Sequence, residues 1–152
     1  GRIIAKASSS WLIIDALSRR IQRPDEILIS YNSLREASLI PVRIAGKIKE
    51  ADPDGKLSDL FKVKLSDIDV NLHTNNVNYL KWTIDTYDFD FIMKYIPSSV
   101  EINYLAESML GEYITIRTSG EKGGNTIFRH SILRDSGKEL CRIRLEWKER
   151  KN

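Results

Sequence analysis

The feature that most constrains the fold is a strict alternation of apolar and charged residues near the C-terminus. In "ELCRIRLEW", residues 139–147, every second residue from Cys141 to Trp147 is apolar, and the residues between them are arginine or glutamate. Successive side chains of a β-strand point to opposite faces, so the segment predicts a strand with one apolar and one charged face. Such one-sided strands are typical of antiparallel sheets.

Further strands and a helix come before this segment. A strand is predicted over 60–70 and a helix over 77–87, "VNYLKWTIDTY", whose apolar residues cover enough of its surface to predict burial against a sheet. "DFDFIMKYIP" predicts a short helical turn. Three more strands are predicted over 99–107, 112–118 and 126–134. This order predicts an α+β domain, with one long helix laid on a curved antiparallel sheet.

The first 56 residues are less regular. Residues 2–15 predict a strand, and "ALSRR" predicts a turn to a return strand. Pro24, followed by two acidic residues, predicts the start of a helix. "ADPDGK", residues 51–56, is typical of a turn or linker, so the main domain is expected after it.

Composition excludes several classes of protein. A chain of 152 residues that is 41% apolar suffices for one globular domain. With 24 basic and 21 acidic residues, the charge is too balanced to favour nucleic acid, and no apolar run is long enough to span a bilayer. A single cysteine, Cys141, excludes an internal disulfide and a cysteine-rich metal site, and it favours a reducing compartment. The abrupt strand-like start, without a signal or transit peptide, predicts that residues are missing upstream.

The segment "DIDVNLHTNNVNYL", residues 67–80, is the densest in polar side chains. A calcium loop is rejected, because Leu72 stands where the sharp turn needs glycine and Asn78 where the bidentate glutamate is needed. Asn75 or Asn76 is predicted to cap the following helix. In an extended stretch, Asp69, Asn71 and His73 would point to one side, next to the free N–H groups of the helix start.

Two interpretations of this segment stay open on the residues alone. It is either a polar turn with a helix cap, or a site that polarises a carbonyl and holds a developing oxyanion.

A family resemblance favours the second interpretation. Residues 66–82, "SDIDVNLHTNNVNYLKW", resemble the acyl-acyl carrier protein thioesterases, and "SVEINYLAES" resembles the family segment that carries a catalytic glutamate. "AKASSSWLIIDALSRRIQRPDE" is similar to the family's Ala-Ser-Ser-x-Trp strand, basic turn and inter-domain link. The resemblance implies two tandem hot-dog domains, of which residues 1–23 would be the closing strands of the first, 24–56 the linker and 57–152 the second.

The resemblance also implies a site, with Asp69, Asn71, His73 and Glu107 as catalytic residues. Asn75, Asn76 and Ser108 are expected to contact substrate. Ser108 replaces a cysteine of many plant members, and since serine is a poor substitute for a thiolate, this argues against covalent catalysis. Cys141 and His130 are interpreted as packed residues.

In the expected mechanism, Glu107 and His73 deprotonate a water as a general-base pair. Asn71, with N–H groups near Asn75 and Asn76, would hold the thioester oxygen. Asp69 would orient Asn71 or His73.

The resemblance therefore implies an acyl-carrier-protein thioesterase that uses no metal or cofactor. Its partner would be the carrier protein with its phosphopantetheine-linked acyl chain, steered by arginines that are otherwise solvated surface, such as Arg142 and Arg144. Pairing with another hot-dog domain, within a longer chain or as a homodimer, is expected, in the bacterial cytoplasm or the plastid of a plant. An acyl-coenzyme A thioesterase, a non-catalytic acyl-binding domain and a dehydratase are the alternatives.

Overall fold

The computed structural model describes residues 3–15, 17–18, 20–23, 46–121 and 126–151. The chain divides into two compact units, Gly1–Gly46 and Lys47–Asn152. The helix predicted at Pro24 lies outside the described residues, as does most of the predicted linker. The division of the chain into two hot-dog domains stays a prediction.

The first unit contains a short antiparallel hairpin of β1 (Ile13–Ile14) and β2 (Ile21–Gln22). The Asp15 carboxylate accepts hydrogen bonds from the backbone N–H groups of Ser18 and Leu17, and these bonds, above all the one from Ser18, lower its pKa. The predicted turn and return strand are therefore present. The strand predicted over residues 2–15 is much shorter than expected.

The second unit is built on a six-stranded sheet whose strand pairs are all antiparallel. Its strands are β3 (Lys56–Leu57), β4 (Phe61–Lys62), β5 (Tyr95–Tyr104), β6 (Tyr113–Gly120), β7 (Thr126–Arg134) and β8 (Glu139–Glu149). They follow the order β3–β6–β7–β8–β5, and β4 also pairs with β6. All four strands predicted in the C-terminal half are confirmed, β7 with the predicted bounds and the other three with shifted ends.

Two helices lie between β4 and β5, namely α1 (Asn76–Ile84) and α2 (Phe89–Lys94). Asn75 caps α1 as predicted, because its side chain accepts a hydrogen bond from the Val77 N–H. Helix α1 ends at Ile84, three residues before the predicted end. There Thr86 donates both its N–H and its hydroxyl to the Thr83 carbonyl and closes the last turn.

The core forms between α1 and one face of the sheet. Tyr79 and Trp82 of α1 pack against the apolar residues of β6, β7 and β8, and the buried cluster consists of Val63, Tyr79, Trp82, Ile114, Ile116, Ile132, Leu140, Cys141, Ile143, Leu145 and Trp147. The predicted α+β architecture of one helix laid on an antiparallel sheet is confirmed, with a shorter helix than expected.

The opposite face of the sheet is charged but not freely solvated. Arg129, Arg142 and Arg144 expose only 16–22% of their side chains and form ion pairs with surrounding carboxylates. The expectation that Arg142 and Arg144 are solvated surface is therefore wrong. Their guanidinium groups form ion pairs with Glu101, Glu121, Glu139 and Glu146.

A segment that we call the strap, residues 47–52, crosses this charged face. Side chains of the strands beneath hold its backbone: Ser131 accepts from the Ala51 N–H, Ser119 from the Asp52 N–H, and Asn103 from the Ile48 N–H. Arg142 donates to the Ile48 carbonyl. The strap belongs to the second unit, Lys47–Asn152.

Candidate active site

The strand predicted over 60–70 is wrong beyond Lys62. Leu65–Asp67 form a 3-10 turn in which the Asp67 carboxylate accepts a hydrogen bond from the Lys64 N–H. Ile68 and Thr74 then form an isolated antiparallel bridge that closes a tight loop. Short polar side chains that bond to nearby backbone compete in this way with extended structure.

Within this loop, Asp69, Asn71 and His73 do not share one side of a strand. The Asp69 carboxylate accepts the Asn71 N–H, while the backbone N–H of Asp69 donates to the His73 carbonyl. Leu72 has a positive φ of 63°. The alternation argument for these three residues fails because Asp69 turns the chain.

The loop nevertheless brings two of the expected catalytic residues together. His73 Nε2 lies 3.4 Å from Glu107 Oε2, with 27% and 50% of the two side chains exposed. These residues are 34 positions apart in the sequence. An imidazole and a carboxylate at this distance, open to solvent, can orient a water molecule and accept its proton.

The backbone beside the pair is joined by hydrogen bonds. Thr74 donates its N–H to the Ser108 carbonyl at 2.9 Å, and the two residues follow His73 and Glu107 directly. The N–H groups of Leu105 and Ala106 both donate to the Leu140 carbonyl, which fastens the segment before Glu107 to β8. Neither catalytic candidate belongs to a regular strand or helix, so these contacts set their separation.

Ser108 lies beneath the pair and is fully buried. Its Oγ is 2.7 Å from Thr74 Oγ1 and 3.0 Å from the Tyr79 hydroxyl, and its N–H donates to the same hydroxyl. Ser108 therefore has no exposed surface that could contact a substrate, although the family resemblance implied such a contact. Sequence reasoning missed Thr74 and Tyr79, since Tyr79 looked like one more apolar residue of the helix.

The start of α1 supplies hydrogen-bond donors near this loop. The N–H groups of Asn75, Val77 and Asn78 already donate to Asp67, Asn75 and Asn75, respectively. The N–H of Asn76 has no acceptor among the described residues. It is therefore available to a ligand oxygen and lies at the positive end of the helix dipole.

The segments of the candidate site also expose large apolar side chains. Val70, Leu72 and Val77 are exposed around His73, and Leu105, Met109 and Leu110 are exposed around Glu107. Several large apolar side chains exposed in the same two segments are typical of contacts with other molecules or domains.

The remaining histidine and the cysteine are buried, as expected. His130 is hydrogen-bonded through its two ring nitrogens to Tyr87 and Thr118, and burial lowers its pKa to about 4. Cys141 is free and fully buried, and burial raises its pKa, which disfavours the reactive thiolate.

A separate cavity of about 920 Å³ opens between the two helices and the edge formed by β3 and β4. Five aromatic rings line it, those of Phe61, Trp82, Tyr87, Phe91 and Phe128. Neither His73 nor Glu107 lines this cavity.

The described part of the chain lacks two further features. It contains no group of three or more His, Cys, Asp or Glu side chains that could hold a metal ion. No helix within it has the length and apolar character needed to cross a membrane.

Known structures share this fold. A 12:0-ACP thioesterase from Umbellularia californica superposes with a TM-score of 0.76 at 22% identity, covering 90% of this chain and 53% of that one. An acyl-ACP thioesterase from Bacteroides thetaiotaomicron superposes with a TM-score of 0.74 at 20% identity, covering 89% and 53%. The second unit therefore has the hot-dog fold.

Sequence comparison adds the family. An acyl-[acyl-carrier-protein] hydrolase of Cuphea viscosissima chloroplasts is 28% identical over 97% of this chain and 38% of its own length. A chloroplastic palmitoyl-acyl carrier protein thioesterase of Gossypium hirsutum is 27% identical over 97% and 39%. The chain thus spans about two fifths of these relatives. The sequence model of the family "Acyl-ACP thioesterase C-terminal domain" matches residues 50–149. The chain therefore belongs to the acyl-ACP thioesterase family.

Proposed function

We propose that this chain is the catalytic C-terminal part of a thioesterase that hydrolyses acyl-acyl carrier protein and releases a free fatty acid. The observation that carries the proposal is the 3.4 Å approach of His73 Nε2 to Glu107 Oε2 at an open surface. Family membership supports the choice of reaction, because its named relatives are acyl-ACP hydrolases.

In the proposed mechanism the pair activates a water molecule. Glu107 and His73 accept one proton from the water, and the resulting hydroxide attacks the thioester carbonyl carbon. The carbon–sulfur bond then breaks, and the phosphopantetheine thiolate leaves and takes up the proton held by the pair. The products are a carboxylic acid and a free thiol, so no oxidant or reductant is required.

The oxygen of the tetrahedral intermediate needs hydrogen-bond donors. We assign the Asn76 N–H, at the start of α1, and the exposed Asn71 side chain to this role. Asn75 supports it as the helix cap. Asp69 shapes the loop through its bond to the Asn71 N–H, which makes it an orienting group rather than the base.

The substrate is proposed to be long and apolar. The exposed side chains near His73 and Glu107 suit an acyl chain or the remainder of a longer protein, which would supply the rest of the acyl pocket. The partner is then the acyl carrier protein, and hot-dog pairing would occur within the complete protein or between two copies. We place the reaction in the plastid for a plant protein and in the cytoplasm for a bacterial one.

Substitution of the two catalytic residues tests the proposal. In the complete protein, His73→Ala and Glu107→Gln should each lower kcat on acyl-acyl carrier protein by about 10²–10⁴-fold, as expected for loss of general-base catalysis. Glu149→Gln, which changes an exposed carboxylate at the far end of β8, is the matched control and should keep full activity.

Near-normal turnover by both variants would end the assignment. The same assay on acyl-coenzyme A thioesters of equal chain length separates the two substrate classes, and faster hydrolysis of the coenzyme A esters would overturn the carrier-protein assignment.

A further inference from the structure

The contact between His73 and Glu107 is too weak to hold its own geometry. Both side chains are partly exposed, and ion pairs between exposed side chains contribute little to stability. His73 also lies in a loop, and Glu107 lies after the end of β5. Catalysis by a pair of this kind depends on groups that fix its geometry in advance.

The structure offers one buried group that contacts the Glu107 segment directly and the His73 segment through Ser108. This group is the Tyr79 side chain of α1, which is 2% exposed; its hydroxyl contacts Ser108 Oγ, and Ser108 Oγ in turn contacts Thr74 Oγ1. Its ring is held edge-on by Trp82 and Tyr104, at centroid distances of 5.4 and 5.8 Å.

The hydrogen bonds around this hydroxyl form a directed chain. The Ser108 N–H donates to Tyr79 Oη, and Ser108 Oγ donates to Thr74 Oγ1. Since each hydroxyl has one proton, Tyr79 must donate its own to Ser108 Oγ at 3.0 Å. Burial raises the pKa of Tyr79, which keeps that proton in place.

We propose that Tyr79 is a positioning residue, whose hydroxyl fixes Ser108 and Thr74 and through them sets the separation of Glu107 and His73. This inference rests on the proposed function. Helix α1 then has two roles: it packs on the sheet, and it aligns the two chain segments that carry the general-base pair.

The test compares two tyrosines that each lose a hydrogen-bonding hydroxyl, which is buried at Tyr79 and half-buried at Tyr87. Tyr79→Phe should lower kcat about tenfold and leave KM within about twofold of wild type, a reduction smaller than the loss of the base itself. Tyr87→Phe is the matched control, because Tyr87 bonds to His130 and Trp147, away from the site. It should lower thermal stability to a similar extent and leave kcat unchanged.

A second comparison separates positioning from general destabilisation. In a His73→Ala background, adding Tyr79→Phe should leave the residual rate unchanged, because the pair it positions is already broken. Ser108→Ala removes the hydroxyl that links Tyr79 to Thr74 and should lower kcat by the same factor. This variant tests the inference even if Tyr79→Phe does not fold.

Three results would overturn the inference: wild-type kcat in Tyr79→Phe and Ser108→Ala, an equal loss of kcat in Tyr87→Phe, or a further loss in the His73→Ala background. If instead His73→Ala itself retains full activity, the proposed function fails rather than the role of Tyr79.

Discussion

Leu72 lies between the two polar residues Asn71 and His73 and is the only described non-glycine residue with a positive φ. This left-handed conformation costs residues other than glycine about 1–2 kcal/mol. Leu72 is also 75% exposed, so burial of its own side chain does not offset much of that cost. Strained backbone conformations of this kind are frequent at functional sites, where surrounding contacts stabilise them.

The strain at Leu72 predicts opposite effects of two substitutions. Leu72→Gly should leave the free energy of unfolding at or above the wild-type value, because glycine accepts positive φ. Leu72→Val should lower it by about 1 kcal/mol, since β-branched residues suit this conformation least. Urea denaturation measures both. Equal losses in the two variants would show that the conformation is not strained.

At the scale of elements, the strap ties the start of the second unit to its sheet. Three strands, β5, β6 and β7, each contribute one side chain that accepts a strap N–H. Two of these acceptors, Ser119 and Ser131, are buried, as is Ala51 of the strap. The strap covers the charged face in the way that α1 covers the apolar one.

Loss of one acceptor should therefore loosen the strap. Ser131→Ala leaves the buried Ala51 N–H without its partner and should cost about 1–3 kcal/mol of unfolding free energy. Ser131→Thr keeps a hydroxyl and should cost less. Hydrogen exchange adds a local measurement, in which the Ala51 amide should exchange faster in Ser131→Ala. Unchanged exchange there would contradict the role given to the serine.

At the scale of the whole molecule, His130 connects the sheet to the segment after α1. Its ring nitrogens contact Thr118 of β6 and Tyr87, and Tyr87 also accepts a hydrogen bond from Trp147 of β8. This buried histidine is neutral in the folded protein, because burial lowers its pKa from 6.5 to about 4.

The depressed pKa of His130 predicts acid sensitivity. Between pH 6.5 and 4 the unfolded chain binds the proton more tightly than the folded one, so stability falls as the pH falls, by about 3 kcal/mol for this group. Urea denaturation at pH 7.5, 5.5 and 4.5 should show a shallower decline in His130→Gln than in wild type. Parallel declines would assign the acid sensitivity to the carboxylates instead.

The strands and the cap could be predicted because their signals are local. Alternation over residues 139–147 predicts β8, and the Asn75 side chain caps the helix that begins directly after it. The loop around Asp69 was mispredicted because a side chain, Asp69 itself, bonds to the backbone and turns the chain. The alternation of polar and apolar residues does not predict a side-chain-to-backbone hydrogen bond that competes with the strand.

By itself the sequence determined the α+β pattern, the polar segment at the helix start and, through family resemblance, which residues to examine. Only the tertiary structure decided that His73 and Glu107 are in contact and that Ser108 is buried. It also decided that Arg142 and Arg144 form ion pairs with carboxylates of the sheet and its surroundings. The physical reason is one of range. Strand alternation and helix capping act between neighbours in the chain, whereas these contacts depend on how the loop, the helix and the sheet pack together.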